Sequence, residues 1–215
     1  PGWKTKIFWN TLEMLKKILQ QKHGFMKRNR GKDMSREKKL WNEGWKFLHG
    51  DWSEGMNPEF DDNKWYDICI PHSFGIPYFM ESEFYVGYGC YRKHFTMKKE
   101  WFGKRISLEF QGVFQEMELY VNGKRAGEHK GGYTAFIIDI TDFIQPGDNL
   151  IFVRVNNLWN PQIAPRAGEH VFNGGIYRDV SVIVTEPVHI SWYGIWVTTP
   201  EVSRQRAVIE IRTEL

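Results

Sequence analysis

The chain has 215 residues, of which 41% are hydrophobic, 16% aromatic and 26% charged, with a formal net charge of +3. That composition is globular, its ring content favours a β-rich body over a helix bundle, and no apolar run approaches the roughly 20 residues of a membrane-spanning helix. Charge is uneven: residues 1–40 carry a balance of +9, which leaves −6 on residues 41–215, and an acidic body argues against the phosphate-tracking surface of a nucleic-acid binder.

Residues 5–22 read as a helix, because Ile7, Phe8, Leu12, Leu15, Ile18 and Leu19 fall near a 3.6-residue period and Gly24 offers a stop. Met26–Lys39 is basic and polar and reads as a linker. Residues 1–39 are therefore expected to form a basic helical extension with no role in chemistry. No signal peptide is visible, but the chain opens on Pro1 rather than Met, so compartment is left open.

From about Leu40 the period becomes two. Ile106, Leu108 and Phe110 alternate with Ser107 and Glu109, and Met117, Leu119 and Val121 with Glu116, Glu118 and Tyr120. Ile151, Val153 and Val155 repeat the pattern, as do Val180, Val182 and Val184. Each run reads as a strand with one face in a core. Turn signals punctuate them at Asn122-Gly123, Gly131-Gly132, Pro146-Gly147 and Gly174-Gly175. Asn122-Gly123 predicts a type I′ hairpin, since both central residues of that turn need positive φ. No convincing helix follows Lys39, so the expected class is an all-β sandwich of the jelly-roll kind. Cys69 and Cys90 are too few for a disulfide framework or a metal-ligand set and are expected to be reduced, buried strand residues. Trp41, Trp45, Trp52 and Trp65 are expected to cover an open end of the sandwich, and Tyr133 and Phe136 to lie in its core. Beyond Pro187, Ile190–Thr199 and Arg206–Leu215 read as two further strands. Two strands cannot bury a core alone, so this piece is expected to belong to a longer polypeptide.

The motifs, taken in order, resemble a known family. They are Leu40–Asp51 (LWNEGWKFLHGD), Ile70–Ser73 (IPHS), Tyr91–Phe95 (YRKHF), Phe110–Val113 (FQGV) and Tyr120–Lys124 (YVNGK), followed by Gly127–Thr141 (GEHKGGYTAFIIDIT), Gly147–Asn157 (GDNLIFVRVNN) and Gly175–Val180 (GIYRDV). At these spacings the chain is similar to the N-terminal sugar-binding domain of family 2 glycoside hydrolases, the β-galactosidase group. The resemblance implies a jelly-roll, galactose-binding-domain-like sandwich over 40–187 and the first strands of an immunoglobulin-like sandwich over 188–215. Residues 1–36 match nothing in the pattern. It also implies partners: a carbohydrate of β-galactoside type, a (β/α)₈ catalytic barrel belonging to the same polypeptide, and scope for a homo-oligomer. Glucuronide and mannoside hydrolases share this plan. No cofactor, metal, nucleic acid or membrane is implied.

Glycoside hydrolysis needs two carboxylates opposed across one bond, roughly 5–9 Å apart. Glu116 and Glu118 have a tempting separation of about 7 Å by strand rise, but they share one strand face opposite Met117, Leu119 and Val121. They read as a solvated face, and Asp139 as a turn residue. No catalytic residue is assigned, and the chain alone is expected to be inactive.

Contact with sugar is expected from two long loops, Pro71–Gly89 and Asn157–Gly175, which mix rings with amide, carboxylate and guanidinium groups. In the family, the second loop reaches the sugar in the barrel. Carried onto this sequence, the substrate-binding positions are Asn157 and Arg166, Glu169 and His170, with Trp159 beside them. The bland readings are a surface ion pair for Arg166 and Glu169 and edge packing for Trp159. Tyr177, Arg178 and Asp179 read as structural, with an Arg–Asp contact. A free-standing carbohydrate-binding module is the competing class.

Overall fold

The computed structural model describes residues 36–75, 84–164 and 174–215. The helix predicted over 5–22 lies outside them. The described residues hold twelve strands in chain order: β1 (Glu37–Leu40), β2 (Trp45–His49), β3 (Tyr66–Ile68), β4 (Tyr88–Thr96), β5 (Arg105–Phe110), β6 (Glu116–Val121), β7 (Lys124–Lys130), β8 (Phe136–Asp139), β9 (Asp148–Asn156), β10 (Val180–Thr185), β11 (Ile195–Val202) and β12 (Ala207–Thr213). Helical geometry among the described residues is confined to short 3₁₀ turns at Ser53–Met56, Lys99–Trp101 and Thr141–Phe143.

Two antiparallel sheets face each other, one ordered β1-β10-β5-β8 and the other β3-β2-β4-β9-β6-β7. Spatial neighbours such as β4 and β9, or β5 and β10, lie far apart in sequence, as a jelly roll requires. The period-two pattern drives the packing. Ile106, Leu108, Phe110, Val180, Val182 and Val184 of the smaller sheet form one cluster with Phe47, Tyr91, Met117, Leu119, Val153 and Val155 of the larger. The β6–β7 hairpin turns at Asn122 (φ 51°) and Gly123 (φ 79°). That is the positive-φ pair the Asn-Gly dipeptide predicts.

Among the described residues the first strand starts at Glu37, inside the stretch read as linker: β1 pairs with β10 at the sheet edge, where charged residues are the usual protection against further pairing. Cys90 is buried but Cys69 is exposed. Burial pushes the Cys90 thiol up to about 12, which makes it inert at neutral pH. Of the four tryptophans, Trp45 and Trp65 are buried while Trp52 is exposed, and Trp45 belongs to a sheet strand rather than to a cover. Trp41 packs against the core from the side. Phe136 is buried and Tyr133 exposed, because Phe136 stacks on Phe110 at 5.2 Å. Asp179 accepts from Asn42 at 2.9 Å, while Arg178 lies over the Tyr177 ring. Asp139 does hold a turn, accepting from the backbone N–H and hydroxyl of Thr141 at 2.8 and 2.6 Å.

A third layer covers the outer face of the larger sheet. Trp65, Cys90 and Phe152 form a small cluster with Leu48, Met56, Phe60 and Tyr120. Arg92 pins it. Its guanidinium is fully buried and donates to Asp62 Oδ2 at 2.8 Å, to Asn57 O at 3.1 Å, to Phe60 O at 3.3 Å and to Gly55 O. β11 and β12 form a separate two-stranded sheet, whose approach segment is tied to the smaller sheet by Trp192 Nε1 donating to Glu109 Oε1 at 3.2 Å.

Removing one partner of a buried pair costs about 3–5 kcal/mol. Arg92→Ala is therefore expected to lower the midpoint of thermal unfolding, followed by circular dichroism, by on the order of 10 °C. Arg92→Lys should recover only part of that loss, because one ammonium cannot reach the same set of oxygens.

Candidate functional site

Antiparallel pairing places Tyr88, the first residue of β4, opposite Asn156, the last residue of β9. The first candidate loop therefore ends where the second begins. Gly87 N–H donates to the Asn157 side-chain oxygen at 2.8 Å, and Asn157 Nδ2 donates to Tyr85 O at 2.9 Å. Asn157 N–H donates to Gly87 O at 3.2 Å.

The other ends of the loops also meet. Phe74 N–H donates to Gly174 O at 2.8 Å and His72 N–H to Ile176 O at 2.9 Å. The buried Phe74 ring lies on the backbone there, so a Cβ on Gly174 would come within 2.4 Å of it. Phe74 also meets Phe47 at 5.7 Å, while His49 stacks on Tyr85 at 4.0 Å and 16°. Beneath, the Tyr91 hydroxyl accepts from Ile176 N–H at 3.3 Å and pairs with His72 Nδ1 at 3.0 Å. Full burial raises the Tyr91 phenol above its ordinary range, so it stays neutral.

Of the residues singled out in the sequence, Asn157 is 6% exposed and braces the two loop roots. Trp159 is 70% exposed on the outgoing leg of the second loop. Arg166, Glu169 and His170 lie outside the described residues. The brace formed by Phe74, Tyr85, His49 and Gly174 escaped sequence reasoning, because loop feet carry no periodicity. The one signal was the Gly174-Gly175 pair, which read only as a turn.

Glu116 and Glu118 line a cleft of ≈ 170 Å³ on the outer face of the larger sheet, with Tyr88, Glu128, Lys130, Arg154 and Asn156. Their side chains are 22% and 29% exposed, less open than a solvated face, because cations fold over them. Arg154 Nη1 lies 3.0 Å from Glu118 and Lys130 Nζ 3.8 Å from Glu116. The two carboxylates stand side by side on one strand, Glu118 engaged by Arg154 and Arg125 and Glu116 by Lys130, and do not oppose one another across a space for a glycosidic bond. Arg154 further grips Asp51 at 2.7 and 2.5 Å and lies over the Tyr88 ring at 4.1 Å.

A family model described as "Glycosyl hydrolases family 2, sugar binding domain" matches residues 46–187. A β-galactosidase of Thermoanaerobacter pseudethanolicus is 35% identical over 164 residues, which cover 73% of this chain and 22% of that protein. A β-glucuronidase of Bacteroides fragilis is 33% identical over 184 residues, covering 82% of this chain and 25% of the relative. Among solved structures, Bacteroides uniformis β-glucuronidase 2, covalently bound to cyclophellitol-6-carboxylate aziridine, superposes with a TM-score of 0.76 at 36% identity. The match covers 82% of this chain and 22% of that one. The chain thus spans about a quarter or less of the length of these relatives.

Hydrogen bonds from Arg154 hold the Asp51 carboxyl below its ordinary 3.8. The stabilisation from this pair is complete above that value and is lost as pH falls through the lower, folded-state value. Asp51→Asn is expected to remove this component, which thermal melts of both proteins between pH 5 and pH 2 would register as a shallower acid decline. Independently, Gly174→Ala is expected to destabilise by roughly 1–3 kcal/mol, as overpacking does, in a denaturant titration.

Proposed function

Since this chain belongs to glycosyl hydrolase family 2, as a sugar-binding domain of that family, we propose that it braces a catalytic barrel carried by the same polypeptide and lends loop residues to that barrel's sugar pocket. The polypeptide as a whole would hydrolyse β-linked O-glycosides. The opposed carboxylates that such chemistry needs would come from the barrel and not from Glu116 and Glu118. In this reading the sugar-binding sandwich starts with β1 at Glu37 and runs to residue 187, 188–215 open an immunoglobulin-like domain, and the residues before β1 are an extension outside both.

The observation that carries the reading is the double brace at the loop roots, Phe74 on Gly174 and Asn157 on Gly87. It brings the roots of both long loops together at one end of the sandwich, the arrangement by which scaffolds present binding residues. Asn157 acts as the structural member of the set. Arg166, Glu169 and His170 would meet the sugar hydroxyls by charge-assisted hydrogen bonds, and Trp159 its apolar face. A β-galactoside is the first substrate class and a β-glucuronide the second. The first rests on the 35% identity to the β-galactosidase of Thermoanaerobacter pseudethanolicus and the second on the 36% identity to the β-glucuronidase of Bacteroides uniformis.

The test is kinetic and uses the full-length enzyme with aryl β-galactoside and aryl β-glucuronide. Arg166→Ala and Glu169→Ala should each raise KM for the preferred substrate by about tenfold, the size expected for losing a charged hydrogen bond. The 215-residue chain alone should turn over neither substrate. Unchanged kinetics in both variants, or turnover by the chain alone that disappears in Glu116→Gln, would sink the reading.

A further inference from the structure

We infer that Gln115 and Glu116 are positioning residues whose task is to present Trp159 as a stacking platform for the apolar face of a pyranose ring. This rests on the reading that the second loop faces sugar, and it adds how that loop is held.

The outgoing leg of the second loop, 156–160, is anchored on both sides of the indole. Gln115, 4% exposed, receives the leg through two contacts. Its backbone N–H donates to Asn156 O at 2.9 Å, and its side-chain amide donates to Leu158 O. Glu116 takes the next two. Its Oε2 accepts from Asn156 Nδ2 at 3.3 Å and its Oε1 from Asn160 Nδ2 at 3.2 Å. The leg stiffens itself as well: Asn156 Oδ1 accepts from Leu158 N–H at 3.2 Å, and Asn160 Oδ1 from Gln162 N–H at 2.9 Å. Trp159 therefore sits between a neighbour held by its carbonyl and a neighbour held by its side chain, with its own side chain 70% exposed. A leg with this many fixed points has lost most of its backbone freedom at Trp159 before any ligand arrives. That lowers the entropic cost of contact. The alternation of β6 explains why these two residues can do this. Met117, next in line, enters the core and fixes the strand, so Glu116 must point to the outer face where Asn156 and Asn160 lie.

A ring held this way suits the C–H face of a sugar, since an aromatic face offers area and orientation with little polar demand. A covering protein surface is the other use of such a ring, and the test separates the two.

In the full-length enzyme, Trp159→Ala should raise KM for an aryl β-glycoside by about tenfold and leave kcat within about twofold. Glu116→Ala and Gln115→Ala should each raise KM several-fold. Neither should raise it further in a Trp159→Ala background, because they act through the indole and coupled residues are non-additive. Glu116→Gln keeps an acceptor for one asparagine and should restore most of the loss. If Gln115→Ala does not fold, the Glu116 series decides alone. Three results would overturn the inference: unchanged KM in Trp159→Ala, additive effects of Glu116→Ala and Trp159→Ala, or a loss confined to kcat. An indole that packs on protein would show itself as a lower unfolding midpoint in Trp159→Ala with KM unmoved. Should Arg166→Ala and Glu169→Ala weaken the substrate interaction while these variants do not, only the positioning role fails. Should all five leave kinetics unchanged, the sugar-facing reading of the loop fails with it.

Discussion

The pairing of β4 with β9 is the constraint from which the rest follows. It runs in unbroken register from Tyr88 opposite Asn156 to Thr96 opposite Asp148, and it is the axis of the larger sheet. One ladder decides two things at once. It fixes which residues face the core, since a slip of one position would turn Tyr91, Val153 and Val155 out of it. It also fixes where the two long loops emerge, because one loop enters β4 and the other leaves β9 at the same end of the ladder.

The spine carries charge at its centre. Arg92 and Lys93 are adjacent in β4 and both are buried, which their sequence context does not advertise. Arg92 faces outward and is satisfied by Asp62 and backbone carbonyls of the covering segment. Lys93 faces the other way, donates to Glu43 O at 2.5 Å and lies 5.5 and 5.7 Å from the Trp41 and Trp45 rings. Burial lowers the Lys93 ammonium below its ordinary range. These groups are costly to desolvate, and a complete set of partners is what makes them tolerable. Their benefit is orientation: the Arg92 fork admits the 55–62 segment in one placement only, and that segment seals the outer face.

The same economy of partners shapes the polar face near the loops. Asp51, Glu118 and Arg154 satisfy one another, and Glu116 turns to the asparagines of the second loop's outgoing leg. These carboxylates are committed to a guanidinium and to loop asparagines, and do not oppose one another across a space for a glycosidic bond.

What could be read from residue order alone was whatever repeats locally. The alternation in β5, β6, β9 and β10 and the Asn122-Gly123 turn need only nearest neighbours, and they announce a β-sandwich; the ordered motifs announce its family. What repeats nowhere stayed hidden. β4 carries arginine and lysine where a central strand should be apolar, so its place beside β9 depends on partners 30 to 60 positions away. β1 hides in a run of charges because an edge strand has no inward demand on most of its side chains. Asn157 looked like a sugar ligand by position and is buried as a brace, since only the folded ladder brings Gly87 against it. Phe74 and Gly174 are about a hundred residues apart, and nothing in either segment signals that a ring will rest on a bare backbone. Chemistry of residue types is local and legible; the closing of distances is a property of register, and register belongs to the whole fold.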